Sequence, residues 1–463
     1  MFDKEIYRQR RLRLREQMKD GLVLLLGNHE APMNYPANAY RFRQDSSFLY
    51  FFGLDEPGLA AAIDLDAGAE TLFGEEATMD DIVWMGPQLT LREKAAKASV
   101  TGVQPFAKLA ETVQQAVKKG RTIHFLPPYR AFNKILLHEL TGIAPAAQKE
   151  SASVALIKAV VALRIQKEAC EIAEIEKACK VGYAMHTAAM QLCRPGAHES
   201  AIAGFVEGKA IAEGYMPSFP VILSQNGETL HNHDHSQTLT GGRLLVIDAG
   251  AETALHYASD FTRTLPAGGR FTTRQKEIYN IVLEANNHAV SRAKPGITYA
   301  GVHLEAAKII TLGLQALGIM KGDAAESVAA GAHALFFPHG LGHQMGLDVH
   351  DMEDLGENYV GYDNDTQRSQ QFGLGSLRMG RMLREGFCIT VEPGIYFIPA
   401  LIAQWKQENK LSQFINYQKA EEYIGFGGIR LEDDILITPA GCRLLGEKRI
   451  PITVEEVEST INS

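Results

Sequence analysis

Apolar and polar positions fall into blocks whose spacing predicts most of the elements. Residues 3–19 read as a charged helix. The run LVLLL at 22–26 is too short for a helix with its flanks and reads as a buried strand. SFLYFFGLDEPGLAAAIDLDAG predicts two strands separated by the breaker DEPG. AETVQQAVKKG predicts a helix closed by a glycine, and TIHFLPP a strand. From about residue 155 the pattern changes. The stretch from VALRIQ to LCRPG carries apolar residues three and four apart and predicts one long helix, stopped by Pro195-Gly196. A second helix, ESAIAGFVEGKAIAEGY, precedes the strands FPVILSQNG, LLVIDAG and HYASDFTRTLP. Helices around 272–293 and 299–318, a Gly/His-rich stretch (331–350) and the strands GFCITVEPGIYF and GGIRLEDDILIT complete the pattern. Residues 355–377 and 399–424 read as loops. Helices followed by strands occur twice, which hints at an internal duplication. The expected class is α+β, with a compact α/β domain over 1–155 and a larger domain over 156–463.

Composition narrows the function. The chain has 463 residues, 46% of them apolar, enough to bury a large core without staples. A net charge of −9 argues against nucleic acid or an anionic membrane as the main partner. No apolar run is long enough to span a bilayer. The five cysteines are odd in number, irregularly spaced and free of any C-x-x-C, so a reducing cytoplasm is expected. The arginine-rich N-terminus lacks a small-residue cleavage site, so it reads as a helix leading into a strand rather than as a signal peptide. GxxxxGK[ST], GxSxG and HExxH are absent, which lowers phosphate cradling and serine-nucleophile catalysis.

Four segments carry the chemistry. In VIDAGAETALHYASDFTRT, Asp248 ends an apolar run and Asp260 lies on the next strand of a hairpin. HGLGHQMGLDVH holds His339, His343 and His350 among glycines that disfavour a regular helix. Glu392 follows an apolar strand in FCITVEPG. Arg430 and Glu432 are two apart in GGIRLEDD, hence on one face of a strand. Each alone fits a strand-end carboxylate or a solvated loop histidine. Taken together, four carboxylates and an imidazole form a ligand set for hard or borderline divalent ions. Such a set can neutralise two cations, which can share a water and lower its pKa.

These strings, with NGETLH at 226–231, resemble those of the pita-bread metallopeptidases, the family of aminopeptidase P, prolidase and methionine aminopeptidase. The order matches the family across most of 156–463, and YRFRQDSSFLYFFGLDEPG resembles the N-terminal domain of aminopeptidase P and the long prolidases. The resemblance implies a pita-bread catalytic domain of duplicated α/β halves around a curved antiparallel-type sheet, behind a smaller α/β domain. By the same resemblance Asp248, Asp260, His343, Glu392 and Glu432 would ligate two divalent ions, with manganese expected and cobalt or zinc as alternatives. Glu392 would also act as general base. His231 would steady the substrate and His350 would stabilise the tetrahedral intermediate. His339, Arg378 and Arg430 would line the substrate pocket or brace the ligands.

The implied reaction is release of the residue before proline by a water-derived nucleophile. The implied partner is a peptide with proline in second position, and a homodimer is the expected assembly. Tyr40, Phe42, Phe48, Tyr50 and Phe51 read either as core or as dimer surface. Arg378, fourteen residues before Glu392, resembles a prolidase arginine that binds a dipeptide carboxylate, so a dipeptidase is the alternative to an aminopeptidase. A catalytically silent binding protein on the same fold is the third reading. One departure from the family stands out: Asp248 and Asp260 are twelve apart where eleven is usual. The extra residue is expected to be absorbed in the turn 252–256. Asp248 and Asp260 on opposite faces would contradict the metal site.

Overall fold

The computed structural model describes all 463 residues, in two compact units. The first comprises Met1–Arg164 and Asp354–Tyr359, the second Ile165–Glu353 and Val360–Ser463. The sequence boundary after residue 155 falls inside a helix, Val154–Arg164, which stays whole in the first unit. Its end is held there: the Tyr50 hydroxyl donates to the Leu163 carbonyl, and Arg164 donates to Ser47.

The first unit is built on a mixed sheet of β1 (Leu22–Leu26), β2 (Ala60–Asp64), β3 (Ala69–Gly74), β4 (Gly102–Pro105) and β5 (Ile123–His124), in the order β4-β3-β2-β1-β5. The expected N-terminal helix is Lys4–Gln17, capped by Asp3. SFLYFF departs from expectation and is a helix, Ser46–Phe52. The apolar run has no period to decide between strand and helix, and the caps decide it. The Asp45 side chain accepts from the Phe48 amide, and Gly53 closes the last turn in the left-handed region. Phe48, Tyr50 and Phe51 are therefore core rather than dimer surface, whereas Tyr40 is exposed. Arg10 and Arg11 are buried: Arg10 donates to the Tyr50 carbonyl and Arg11 to the Phe51 carbonyl, at the C-terminus of that helix.

The second unit repeats one plan. Helices Ala169–Leu192 and Glu199–Ala212 pack together beside a sheet of β7 (Ile222–Ser224), β8 (Leu244–Ala249) and β10 (Phe261–Pro266), with the short pair β6 (Met216–Pro217) and β9 (Ala251–Glu252). Helices Thr273–Arg292 and Tyr299–Ala316 repeat the pairing. Beside them lie β11 (Cys388–Val391), β14 (Asp433–Thr438) and β15 (Gly441–Leu444), with the pair β12 (Gly394–Tyr396) and β13 (Gly428–Arg430). The single long helix expected after residue 155 is two helices. Lys167 stops it by donating its backbone N–H to Gly386 and burying its ammonium against Asp351, and Glu168 opens the next helix with a capping box to Glu171. Nor is 399–424 all loop, because it holds helices Pro399–Gln407 and Tyr417–Glu421.

Two contacts join the halves of this unit where the site lies. Thr262 bridges to Glu432, whose amide donates to the Thr262 carbonyl at 3.0 Å. Beside it Arg263 is buried, donating to Asp433 at 2.7 Å. The hairpin between β8 and β10 settles the twelve-residue spacing. Asp248 pairs with Thr262, and Glu252 still pairs with Ala258, so one register runs to the turn without a bulge. The turn closes at 253–257 with His256 at positive φ. Asp260, just before β10, is two residues from Thr262 within this register, and Thr262 pairs with Asp248, which puts all three side chains on one face.

Candidate metal centre

A cavity of about 320 Å³ opens where the halves of the second unit meet. Its wall contains all ten residues singled out above: His231, Asp248, Asp260, His339, His343, His350, Arg378, Glu392, Arg430 and Glu432. Strand β8 carries Asp248, and Asp260 lies immediately before β10. Glu392 lies just beyond β11, and Glu432 lies between β13 and β14. His339, His343 and His350 come from the glycine-rich segment, which is non-helical around His343, and His231 comes from the stretch after β7. Gly342 there passes so close to β11 that a Cβ would stand 2.1 Å from the Thr390 carbonyl oxygen. That approach lets the His343 amide donate to the Thr390 hydroxyl at 3.1 Å.

Asp260, His343 and Glu432 form the tightest group, their ligand atoms all within 4.8 Å of one another. His343 Nε2 stands 3.4 Å from Asp260 Oδ2 and 3.8 Å from Glu392 Oε1. Its Nδ1 faces the Gln344 carbonyl at 3.0 Å, which can only accept, so Nε2 presents its lone pair to the acids. Asp248 lies outside the tight group, with Oδ2 held by Arg430 Nη2 at 2.5 Å. Glu392 also lies outside it, 3.6 Å from His339 Nδ1.

Burial and mutual repulsion dominate the electrostatics. Burial, then the charges of Glu432 and Asp248, hold the Asp260 carboxyl well above its ordinary range. Burial, then Glu392 and Asp248, does the same to Glu432. Burial pushes Glu392 up to about 7. His343 is held well below its usual value by burial and by His350. Asp248 Oδ1 and Asp260 Oδ1 are buried and accept no hydrogen bond. An unpaired buried carboxylate oxygen is costly. Two such oxygens, beside two raised carboxyls and an imidazole lone pair, fit a divalent-cation site.

Sequence reasoning missed several supporting residues. The Thr262 hydroxyl donates to Glu432 Oε2 at 2.7 Å and accepts from Arg430 Nε at 3.0 Å. The Tyr396 hydroxyl lies 2.9 Å from His339 Nε2 and accepts from Arg430 Nη1 at 3.1 Å. Asp434 Oδ2 accepts the Asp260 amide at 2.9 Å. Glu353 Oε2 accepts from His350 Nδ1 at 2.6 Å. Strand parity could have found Thr262, two residues from Asp260; nothing in the local pattern marks the others.

Known proteins agree with this architecture. Residues 173–439 match the model of metallopeptidase family M24, and residues 7–124 match the aminopeptidase P N-terminal domain. A human Xaa-Pro dipeptidase is 31% identical over 97% of this chain and 90% of its own length. A probable Xaa-Pro aminopeptidase of Aspergillus niger is 31% identical over 93% of this chain and 87% of its own. The solved structure of Escherichia coli aminopeptidase P with the inhibitor Pro-Leu superposes with a TM-score of 0.81 at 29% identity, covering 100% of this chain and 98% of that one. The chain belongs to metallopeptidase family M24 and carries an aminopeptidase P N-terminal domain ahead of its peptidase domain.

Proposed function

We propose that this peptidase removes the N-terminal residue from peptides with proline in second position, using two divalent cations held by Asp248, Asp260, His343, Glu392 and Glu432. The observation that carries the reading is the convergence of four carboxylates and one oriented imidazole on a single cavity wall. The Xaa-Pro names of the human and Aspergillus relatives, and the Pro-Leu inhibitor bound by E. coli aminopeptidase P, support the substrate class. A tertiary Xaa-Pro amide has no N–H to grip, so recognition must come from elsewhere. Bound cations supply Lewis acidity and lower the pKa of water. The chain's own side chains do the rest. Glu392 takes and returns the proton of the attacking water. His231 and His350 steady the scissile carbonyl as charge builds on its oxygen. Arg430, tied to Asp248, Thr262 and Tyr396, keeps the ligand wall in register. Manganese suits an oxygen-rich donor set with one imidazole. All five cysteines are free, which suits a reducing cytoplasm. Exposed Met79, Val83, Trp84 and Met85 offer an apolar surface for a homodimer, which light scattering would test.

A second reading, a dipeptidase, is favoured by Arg378 on the cavity wall and by the human relative. One experiment addresses both. Purified enzyme is stripped with chelator, reloaded with Mn²⁺, Co²⁺ or Zn²⁺, and offered Xaa-Pro and Xaa-Pro-Yaa-Zaa. Metal-dependent release of the first residue from both is expected. Strict rejection of the longer peptide replaces the aminopeptidase with the dipeptidase, and no turnover with any metal sinks both. Glu392→Gln and His350→Ala are each expected to lower kcat about 10²–10⁴-fold with folding intact, and wild-type rates in either would refute the role given to it.

A further inference from the structure

The cavity wall has two arginines, and they are used differently. Arg430 is buried and spends its donors on Asp248, Thr262 and Tyr396, within the ligand wall. Arg378 is about a third exposed and points its Nη2 at Glu353 Oε1, 3.4 Å away. The other oxygen of the same carboxylate accepts from His350 Nδ1 at 2.6 Å. The His350 ring in turn lies 4.1 Å from the His343 ring, centroid to centroid. A single acid therefore links the outer arginine of the cavity to a histidine beside the candidate metal ligands. Glu353 is held as an anion: the His350 hydrogen bond, then Arg378, keep its carboxyl down at about 2.

This matters for peptide length. In an Xaa-Pro dipeptide the carbonyl end of proline is a free carboxylate, one residue from the scissile bond. In a longer peptide the same position is a neutral amide. A guanidinium without a nearby acid would favour the carboxylate, which it can grip bidentately. One already facing Glu353 must exchange that partner, and Glu353 repels a second carboxylate.

We propose that Glu353 is a specificity-determining residue: by occupying Arg378 from the His350 side, it weakens the hold on dipeptide carboxylates and widens the enzyme toward longer Xaa-Pro peptides. This inference rests on the function proposed above. Glu353 contributes through charge on the substrate's C-terminal side and through the hydrogen bond it accepts from His350. Gln at this position keeps the hydrogen-bond acceptor and removes the charge.

The test compares metal-loaded wild-type enzyme with Glu353→Gln, Arg378→Met and the double variant. The readout is the ratio of kcat/KM for Xaa-Pro to that for Xaa-Pro-Yaa. Glu353→Gln is expected to raise this ratio roughly three- to ten-fold, the scale of a solvent-accessible charge pair with like-charge repulsion added. The gain should lie in the KM of the dipeptide. With Arg378 replaced, the same substitution should raise the ratio by clearly less, because only the direct repulsion between Glu353 and the dipeptide carboxylate is then relieved. An unchanged ratio in Glu353→Gln overturns the inference. So does an equal rise on the Arg378→Met background, which would mean that Glu353 does not act by occupying Arg378. Wild-type enzyme that cleaves neither peptide with metal overturns the function itself, and this inference with it. Because the Glu353 side chain is 44% exposed, loss of folding is not the expected confounder, and thermal melting of each variant checks it.

Discussion

Asp260 shows how one side chain is made ready for a cation. Its amide is fixed by Asp434, its Oδ1 has no hydrogen-bond partner, and its carboxyl is held high by burial and by Glu432. Glu432 is raised in the same way, and Glu392 to about 7. Without metal these raised acids hold protons more tightly than ordinary carboxyls, and a cation must displace them, so metal affinity should rise with pH, through about 7 for Glu392, and fall in acid. Calorimetric metal titrations at pH 6.5 in buffers of different ionisation heat should report protons released; a heat independent of buffer would count against the ligand set. The same raised pKa values set a stability sign. The folded, metal-free chain binds more protons than the unfolded one, so this cluster costs it stability as pH climbs from about 4 toward 7 and above. Chelator should therefore lower Tm more at pH 8 than at pH 5. Thr262 is the residue whose loss isolates ligand support, since its hydroxyl serves Glu432 and Arg430 together. Thr262→Val is expected to weaken metal binding about 10–100-fold. Competition with a chromogenic chelator would read this, and an unchanged affinity would remove Thr262 from the supporting set.

Among the elements, the break between helices Val154–Arg164 and Ala169–Leu192 has the clearest consequence. Lys167 sits in that break and donates to Asp351 at 2.9 Å, with both side chains almost fully buried. Asp351 follows His350 directly, so the ion pair anchors the end of the histidine segment. Removing the ammonium takes the cation away from a buried carboxylate, and Lys167→Met is expected to lower stability by about 3–5 kcal/mol. Urea unfolding would measure it; a loss within a few tenths of a kcal/mol would show that the carboxylate finds another partner. The helix break is also where sequence periodicity misled. Apolar spacing continues through 165–168, and what stops the helix is Gly386, more than two hundred positions away, accepting the Lys167 N–H. The Ser46–Phe52 helix teaches the opposite lesson, because its caps Asp45 and Gly53 are local and readable. The β8–β10 hairpin follows parity alone: an even separation of the aspartates in an unbulged register puts them on one face.

At the scale of the whole molecule, several buried histidines make the folded chain sensitive to acid. Burial holds His186 at about 3, with Nε2 against the Ala249 carbonyl, and His303 also at about 3. His333 is held at about 4. His303 and His333 lie 6.1 Å apart, centroid to centroid, and neither ring makes a hydrogen bond. The unfolded chain protonates these rings near 6.5 and the folded chain does not. Stability should therefore fall as pH drops from about 6.5 toward 4, by up to about 1.4 kcal/mol per pH unit for each ring. His303→Phe, which removes one such ring beside Phe337, should flatten that slope by about one proton. Denaturant unfolding at pH 5 and 7 would check it, and an unchanged slope would mean that His303 protonates within the fold.

The candidate residue types, the shared face of Asp248 and Asp260 and several of the helices were legible in the sequence itself. Such features depend on residue type and on periods of two and 3.6, which act over a few positions. Arg430 and Glu432, read there as two apart on one strand, instead fall at the end of β13 and in the gap before β14. Other features came only with the tertiary structure: the meeting of Asp248 and Asp260 with Glu392 and Glu432, the burial of Arg10 and Arg11, the stop at Lys167, and the placing of Glu353 between His350 and Arg378. Each joins side chains through contacts that no local period records. The carboxylates acquire their shifted pKa values only once packing has excluded water and brought like charges together.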